Sequence, residues 1–380
     1  LTLSGPIFMA SAGNQSELLG TKSNTMNQPL RAVVIGAGQI AKQHLGAIAA
    51  TPGAEIAGVC DLSPVMAQST ADRFGVANWS TDFRELLAQQ RPDVVHITTP
   101  PGSHFHIARE CLLADAHVLV EKPATTEYSQ FLELKELAAG RGKWLVEDHN
   151  YQFNAAIREM MTLVEEGKLG EVRHVDVQVC LDLFARGSRF ADPDVPHPAM
   201  REAAGVVSDF LTHLCYLAYG FVGPHRQVQP YFNRRLAVPD APITEFQALI
   251  NAERGTALIG LSGTSQPDSF QVTVQGTRMQ VTTNLFEVGT TVTEMLGGPK
   301  PLLPIRNARR RGKSERQNAT RSLMRKLGGG PGPLEGLWAL IDELYTNLGN
   351  GGPQPIAMAQ IESVNRLVHE IQAEAPSCVS

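Results

Sequence analysis

The stretch RAVVIGAGQIAKQHLGAIAA, residues 31–50, joins an apolar run to a turn with two glycines and then to an amphipathic segment. The run RAVVI reads as a buried strand. The amphipathic part has apolar residues at the spacing of one helix face, namely Ala41, Leu45 and Ile48. Gly36 permits a tight turn, and Gly38 lets the backbone approach a ligand closely. We therefore predict a strand, a tight turn and a helix.

The same alternation continues to residue 150. Apolar strands are predicted in EIAGVCD, around Val76, and in DVVHITT, HVLVEKP and KWLVEDHN, with amphipathic helices between them. Strands that are apolar on both faces and separated by helices indicate a parallel sheet covered on both sides. Residues 29–150 are thus predicted to form a doubly wound α/β domain of the Rossmann type. Ligands bind such sheets beyond the carboxyl ends of the strands.

The pattern changes after residue 151. VDVQVCLDLF, residues 175–184, alternates apolar and polar side chains, as a half-exposed strand does. Similar strands follow closely in FQALIN, TALIGLSG, SFQVTVQ and RMQVTTN. Residues 151–380 are therefore predicted to form an α+β domain with a mostly antiparallel, open sheet. Its outward face suits a homodimer or homotetramer contact, and the C-terminal helix could pack back on the first domain.

Composition agrees with a globular protein of two domains. The 380 residues are 43% hydrophobic and 19% charged, which is enough for two cores. No apolar run approaches the ~20 residues that a membrane span requires. The five cysteines are odd in number and scattered, which fits a reducing, cytoplasmic compartment better than a disulfide framework or a zinc site.

The first 28 residues form a separate segment. They are rich in Ser, Thr, Asn and Gly, which is typical of a flexible extension. Their apolar stretch lacks the positively charged start of a secretory signal, because the first cation is Lys22.

Charge is unevenly distributed. Residues 300–326 contain ten cations and one acid, which leaves 23 cations against 37 acids elsewhere. An acidic body with one basic segment argues against a nucleic-acid-binding face. The simplest interpretation of the segment is a solvated, flexible insertion. Contact with a substrate phosphate or with an acidic neighbouring subunit is the alternative.

The glycine turn predicts a dinucleotide site. In GAGQIA, residues 36–41, the turn residues and the helix start at Gln39 and Ile40 would bind a pyrophosphate through free N–H groups. Asp61 ends the second strand 23 residues after Gly38, where a carboxylate accepts hydrogen bonds from the adenosine ribose and repels a 2′-phosphate. The predicted cofactor is NAD rather than NADP.

A second segment, TTPPGSHFH at residues 98–106, follows the fourth strand and adds candidate cofactor contacts at Thr99, Pro100 and His104. His104 and His106 are two residues apart on a predicted helix, so they point to different sides and do not chelate one ion. No metal site is predicted there, and either histidine could equally be a polar residue of the helix surface.

The stretch HVLVEKPATT, residues 117–126, ends the fifth strand with Glu121, Lys122 and Pro123. A partly desolvated lysine at this edge could stabilise a developing alkoxide while Glu121 holds its ammonium group and contacts the cofactor. A structural ion pair between Glu121 and Lys122 is the alternative.

From about residue 30 onward the chain resembles the glucose-fructose oxidoreductase/inositol dehydrogenase (Gfo/Idh/MocA) family. Four motifs occur in the order and spacing of that family, namely GAGQIA, TTPPGSH, HVLVEKP and GVVSDFLTH. The resemblance implies that Lys122 is a catalytic lysine. It also implies that Asp209 and His213 form the family's Asp-x-x-x-His, with His213 as acid/base. Without the resemblance, such an i, i+4 pair could be a satisfied core pair.

Substrate contacts are harder to assign. Relatives often have an arginine in an Asn-x-Arg-Phe segment after the sixth strand, whereas HNYQF has Gln152 at that position. Asn150 in this segment is a candidate substrate contact. The loop FARGSRFADPDVPHPAM adds Arg186, Arg189 and His197, which could equally be surface residues.

The sequence therefore indicates an NAD-dependent oxidoreductase that acts on a secondary hydroxyl or keto group of a sugar, cyclic polyol or nucleotide-sugar. Two alternatives remain open at this stage. One is an NAD-dependent glycoside hydrolase of the same family, and the other is a non-catalytic dinucleotide sensor.

Overall fold

The computed structural model describes residues 28–185, 187–188, 190, 204–235, 243–287, 289–294, 299–327 and 334–376. Three candidate substrate residues, Arg186, Arg189 and His197, lie outside these ranges, as does the N-terminal extension up to residue 27.

The first sheet has six parallel strands in the order β3-β2-β1-β4-β5-β6. The strands are β1 (Leu30–Ile35), β2 (Ala54–Cys60), β3 (Trp79–Ser80), β4 (Val94–Ile97), β5 (His117–Val120) and β6 (Leu145–Glu147). Between them run α1 (Gln39–Ala50), α2 (Pro64–Phe74), α3 (Phe83–Gln90), α4 (His104–Leu113) and α5 (Tyr128–Arg141). The predicted doubly wound α/β domain is confirmed. The short third strand lies at Trp79–Ser80 rather than around Val76, which is a buried loop residue.

The second sheet has seven strands in the order β13-β12-β11-β7-β10-β9-β8. They are β7 (Val172–Asp182), β8 (His225–Asn233), β9 (Glu245–Ala252), β10 (Thr256–Ser262), β11 (Thr264–Gly276), β12 (Met279–Asn284) and β13 (Thr290–Glu294). All neighbouring pairs are antiparallel except β7 and β10. The sequence did not indicate β8 and β13, which occupy the two edges. Helices α6 (Ala155–Glu165) and α7 (Val207–Val222) complete this part.

Each sheet has its own apolar core. Helix α9 (Glu335–Asn350) belongs to the first core through Leu337, Leu340, Ile341 and Leu344. Helix α10 (Met358–Ala373) contributes Ile361 to the first core and Val364 and Ile371 to the second. The end of the chain thus ties the two domains together. Among the helices that the structure describes, none is both long enough and apolar enough to cross a membrane.

The basic segment is a helix, α8 (Leu303–Leu327), so its prediction as a flexible insertion was wrong. One polar stripe of the helix contacts the edge strand β13. Ser314 Oγ and Asn318 Nδ2 donate to the Thr290 carbonyl at 2.9 and 3.0 Å. Asn307 Nδ2 donates to a second carbonyl, that of Glu294, at 3.1 Å. These bonds satisfy carbonyl groups of an edge strand, which explains why so polar a segment is ordered along the sheet.

Candidate active site

The glycine turn between β1 and α1 lies at the carboxyl edge of the first sheet. Gly36 has φ +100°, and a Cβ atom there would lie 2.8 Å from the backbone of Thr98. Only glycine fits this position. Gly38 precedes α1, and a Cβ atom there would meet nothing within 4 Å. The open space before the helix N-terminus, next to exposed Gln39 and half-buried Ile40, fits a dinucleotide pyrophosphate.

Asp61 stands beside this turn at the end of β2. Its Oδ2 accepts the N–H of Ala37, and its Oδ1 accepts the N–H of Ser63, both at 2.8 Å. The carboxylate therefore shapes the glycine turn, and it is only partly buried. Each oxygen keeps a second lone pair, so the predicted hydrogen bonds from a ribose remain possible in this arrangement.

The segment after β4 brings Thr99 and Pro100 to the same edge, with Thr99 half-buried and Pro100 exposed. His104 is fully buried. Its Nδ1 lies 2.8 Å from the Pro123 carbonyl oxygen and its Nε2 lies 2.7 Å from the Thr99 carbonyl oxygen. His104 is therefore neither a helix-surface residue nor in direct reach of a ligand. It supports the loop that carries Thr99 and connects it to the loop after β5.

Lys122 joins the two domains. Its Nζ donates to the backbone carbonyl of Asp209 at 2.6 Å and to Asp209 Oδ1 at 2.9 Å. The predicted pairing of Lys122 with Glu121 was wrong, since Glu121 Oε1 is bound by His44 Nε2 at 3.1 Å. The physical reason is that β5 ends at Val120, so Glu121 meets His44 on α1 whereas Lys122 reaches across to Asp209 on α7. Only 13% of the lysine side chain is exposed.

His213 follows Asp209 by one turn on α7 and is buried. Its Nδ1 lies 2.8 Å from the Tyr216 hydroxyl oxygen. That hydroxyl accepts the N–H of Tyr151 and donates to Asn150 Oδ1, both at 3.1 Å. Since the tyrosine proton goes to Asn150, we assign the imidazole proton to Nδ1, which donates to Tyr216. The lone pair is then on Nε2, which is the form that a general base needs.

The surroundings keep His213 neutral. Burial holds its pKa well below the usual value of 6.5, and the nearby Lys122 ammonium lowers it further. The Asp209 carboxylate acts in the opposite direction. A histidine in this environment remains an unprotonated base at neutral pH.

Asn150 and Gln152 lie under the site. The Asn150 side chain accepts from Tyr216 and donates one amide proton to Asp148 Oδ2 at 3.1 Å. Its other amide proton is not needed for these bonds, so its substrate contact stays a prediction. Gln152 Nε2 donates to the Tyr216 carbonyl at 2.9 Å. The residue that replaces the expected arginine therefore braces α7.

A pair of carboxyl groups lies behind Lys122. The carboxyl groups of Glu121 and Asp148 are neighbours, and with His44 they place ligand-type atoms within 4.8 Å of one another. Burial and the Glu121 charge raise the pKa of Asp148 well above its usual range. Burial is the largest single influence on Glu121 and raises its pKa, but the hydrogen bond and charge of His44, together with Lys122 and Asp148, outweigh burial, and the pKa of Glu121 is lowered. Asp148 is thus the protonated member of the pair and Glu121 the ionised one.

By type and spacing His44, Glu121 and Asp148 could hold a metal ion, although the hydrogen bonds among them account for their positions. The sequence did not indicate that these three residues meet, nor that Tyr216 belongs to the site. The available signal was polar side chains inside otherwise apolar segments, such as His44 in the first helix. That signal does not show which of these residues meet.

Comparison with known proteins identifies the first domain as an NAD-binding domain of an oxidoreductase family. Residues 30–149 match a family model described as an oxidoreductase family with an NAD-binding Rossmann fold. D-glucoside 3-dehydrogenase from Escherichia coli is 33% identical over 152 residues, which cover 40% of this chain and 43% of that protein. A dTDP-3,4-didehydro-2,6-dideoxy-alpha-D-glucose 3-reductase from Streptomyces violaceoruber is 34% identical over 145 residues, 38% of this chain and 42% of that protein. The matched segments span about half or less of these relatives.

Similarity of fold extends over nearly the whole chain. The structure of a levoglucosan dehydrogenase in complex with NADH and levoglucosan superposes with a TM-score of 0.73 at 19% identity. The match covers 92% of this chain and 98% of that one. Both domains and their arrangement are therefore shared with a dehydrogenase whose structure contains the reduced cofactor.

Proposed function

We propose a function from the family: the chain belongs to the Gfo/Idh/MocA oxidoreductases through its NAD-binding domain at residues 30–149. It transfers a hydride between NAD and a secondary hydroxyl or keto carbon of a sugar, cyclic polyol or nucleotide-sugar. The observation that carries this proposal is the contact of Lys122 Nζ with Asp209 across the two domains, one helical turn from His213. An ammonium group and a neutral imidazole thus reach one edge of the crevice from separate domains.

Cofactor binding, proton transfer and charge stabilisation are assigned to different residues. The glycine turn and Asp61 would hold NAD, which supplies the hydride acceptor when bound. His213 Nε2 would take the proton of the substrate hydroxyl. Lys122, fixed by Asp209, would hydrogen-bond the same oxygen and stabilise its negative charge. Tyr216 and Asn150 hold His213 in the tautomer that leaves Nε2 free. In the reverse direction, the same groups would protonate a carbonyl oxygen.

The test is a panel of aldoses, cyclic polyols, glycosides and nucleotide-sugars with NAD⁺, followed by NADH absorbance. Two curated relatives are named for chemistry at carbon 3 of a sugar, so 3-keto sugars with NADH complete the panel. Sugar release from aryl glycosides without net NADH would indicate a hydrolase instead. Tight NAD binding without turnover of any member would favour a sensor.

Cofactor preference gives the first prediction. In Asp61→Asn we expect NAD⁺ to bind roughly tenfold or more weakly, because a charge-assisted hydrogen bond contributes about 1.5–3 kcal/mol. We expect NADP⁺ affinity to rise, since the charge that repels a 2′-phosphate is gone. Calorimetric titration with both nucleotides measures this, with Asp115→Asn, an exposed partner of Arg141, as the control. Equal affinity of the wild type for NAD⁺ and NADP⁺ would contradict the assignment.

The pH profile gives the second prediction. The His213 pKa lies well below 6.5, so the base stays unprotonated as the pH falls through 6.5. We expect kcat/KM for alcohol oxidation to decline only below that pH. In Asp209→Asn the acid limb should move to still lower pH, because the carboxylate that raises the His213 pKa is lost. Initial rates at saturating NAD⁺ test this, and an acid limb centred at or above 6.5 would disprove it.

A further inference from the structure

A chain of buried polar side chains crosses the first domain behind the active site. The Tyr345 hydroxyl lies 2.9 Å from His96 Nε2, His96 Nδ1 lies 2.9 Å from His44 Nδ1, and His44 Nε2 lies 3.1 Å from Glu121 Oε1. These residues come from α9, β4, α1 and the end of β5. We call Tyr345, His96, His44 and Glu121 the buried chain.

Nothing in the proposed hydride transfer uses the two histidines or the tyrosine. Both histidines are fully buried and Tyr345 is 2% exposed, within an apolar core that could have been filled by aliphatic residues. Buried polar groups are costly unless each is hydrogen-bonded. The described bonds satisfy both ring nitrogens of each histidine, so the buried chain is a complete network.

One arrangement of protons satisfies every hydrogen bond of the buried chain and directs its donors toward the active site. Burial raises the pKa of Tyr345 well above its usual value and lowers that of His96 well below 6.5, so the hydroxyl keeps its proton and His96 is neutral. Tyr345 then donates to His96 Nε2, and His96 carries its proton on Nδ1. His96 donates in turn to His44 Nδ1. His44 donates from Nε2 to the Glu121 carboxylate, so all donors point toward the active site.

The inner end is the acid pair. Asp148 Oδ1 has no donor among the described residues, which fits a protonated carboxyl that shares its hydrogen with Glu121. The charged groups around the pair are Lys122 and Glu147. Glu121 is 12% exposed, whereas Asp148 is fully buried. Glu121 is therefore the member of the pair that solvent can reach.

The outer end reaches the opposite edge of the sheet. Tyr345 lines a surface groove of about 680 Å³ together with Leu30, Gly53 and Asp93, which precede or begin parallel strands. These positions mark the amino edge, whereas the glycine turn and Lys122 lie at the carboxyl edge. Asp93 is exposed, and its charge acts on Tyr345. An acidic surface group thus stands beside the outer end of the buried chain.

We propose that the buried chain is the route by which the acid pair beside Lys122 exchanges a proton with solvent, so that the site can gain or lose the proton of the redox reaction while cofactor and substrate fill the crevice. This inference rests on the proposed function. It assigns Tyr345, His96 and His44 a relay role that is separate from substrate contact.

Each step moves one proton between hydrogen-bonded atoms. When the Tyr345 oxygen gains a proton from the groove, its original proton passes to His96 Nε2. The Nδ1 proton of His96 passes to His44 Nδ1, and the Nε2 proton of His44 passes to Glu121. One N–H or O–H bond forms for each that breaks, and Glu121 becomes protonated. Each hydrogen bond of the buried chain is then donated toward the outer end, and the same steps in reverse order release the proton to the groove.

The first experiment needs no substrate. In protein labelled with ¹⁵N-histidine and saturated with NAD⁺, we expect His96 protonated at Nδ1 and His44 at Nε2, with both N–H groups exchanging with solvent. Tyr345→Phe should slow this exchange by about tenfold or more, because a phenyl ring has no proton to pass on. Tyr128→Phe, the same change on α5, should leave it unaltered. Unchanged exchange in Tyr345→Phe, or the opposite tautomers, would overturn the proposal.

A second variant distinguishes a loss of proton relay from a change in exchange caused by local unfolding. Glutamine at position 96 can bond to both neighbours but does not relay protons, so in His96→Gln the His44 N–H should exchange slowly while thermal unfolding stays near that of the wild type. Fast exchange in a folded His96→Gln protein would also exclude the route.

The third measurement uses whichever substrate the panel identifies. In a single turnover with a pH indicator, wild-type proton release should keep pace with NADH formation, and in Tyr345→Phe it should lag while the NADH rate is retained. If proton release and NADH formation occurred at the same rate in Tyr345→Phe, the route would be excluded. If no substrate forms NADH, the proposed function fails, but the exchange measurements still decide whether the buried chain conducts protons.

Discussion

Lys122→Ala should lower kcat/KM for the substrate found in the panel by roughly 10²–10³, the loss typical when one donor to a developing oxyanion is removed. The effect should be large because only 13% of the Lys122 side chain is exposed, so water does not readily replace the ammonium group. Its loss also takes one hydrogen-bond partner from the Asp209 carboxylate.

The control for this variant is Lys135→Ala. Lys135 forms an ion pair with Glu362 at 2.9 Å on the surface between α5 and α10, so its removal takes away a cation without touching the crevice. Added methylammonium should restore part of the activity of Lys122→Ala and none in the control, since it can refill the space of the lost side chain. Wild-type activity in Lys122→Ala would remove the catalytic assignment.

His213→Gln should lower kcat/KM by roughly 10²–10⁴, the range contributed by a positioned general base. Glutamine retains hydrogen-bonding capacity toward Tyr216 but has no atom that accepts a proton near neutral pH. The variant should therefore fold and bind NAD⁺, and its residual rate should no longer follow the acid limb assigned to His213. Steady-state rates across pH, with calorimetric NAD⁺ titration, measure these outcomes.

His174→Gln is the matched control for this change. His174 lies on β7 with about a third of its side chain exposed and contacts Asp176 and Thr256, away from the crevice. It should keep the wild-type pH profile. A His213→Gln enzyme with an unchanged acid limb would show that another group accepts the proton.

Much of the first domain could be predicted because its information is local. The turn at Gly36 requires a positive φ, the strands are continuously apolar, and strand, turn, helix and Asp61 follow within 30 residues. The second sheet was harder. Its edge strands β8 (HRQVQPYFN) and β13 (TTVTE) have no continuous apolar run, and the parallel pairing of β7 with β10 depends on which segments meet.

Helix α8 shows how tertiary contacts override composition. Ten cations and little apolar surface indicate a solvated segment, yet the edge strand β13 offers the Thr290 carbonyl, to which both Ser314 and Asn318 donate. No pattern within residues 300–326 reveals that edge, because it is formed by a different part of the chain.

The sequence alone determined the Rossmann domain and the dinucleotide turn, since both depend on spacing within a short segment, whereas Lys122, Asp209 and His213 became candidates through the family resemblance of their motifs. Only the tertiary structure decided that Lys122 bonds to Asp209 instead of Glu121, and that His44, His96 and Tyr345 form one connected chain. Residues 249 positions apart, such as His96 and Tyr345, come within hydrogen-bonding distance only after α9 packs against the first domain. Such contacts follow from packing between distant segments, which local periodicity does not encode.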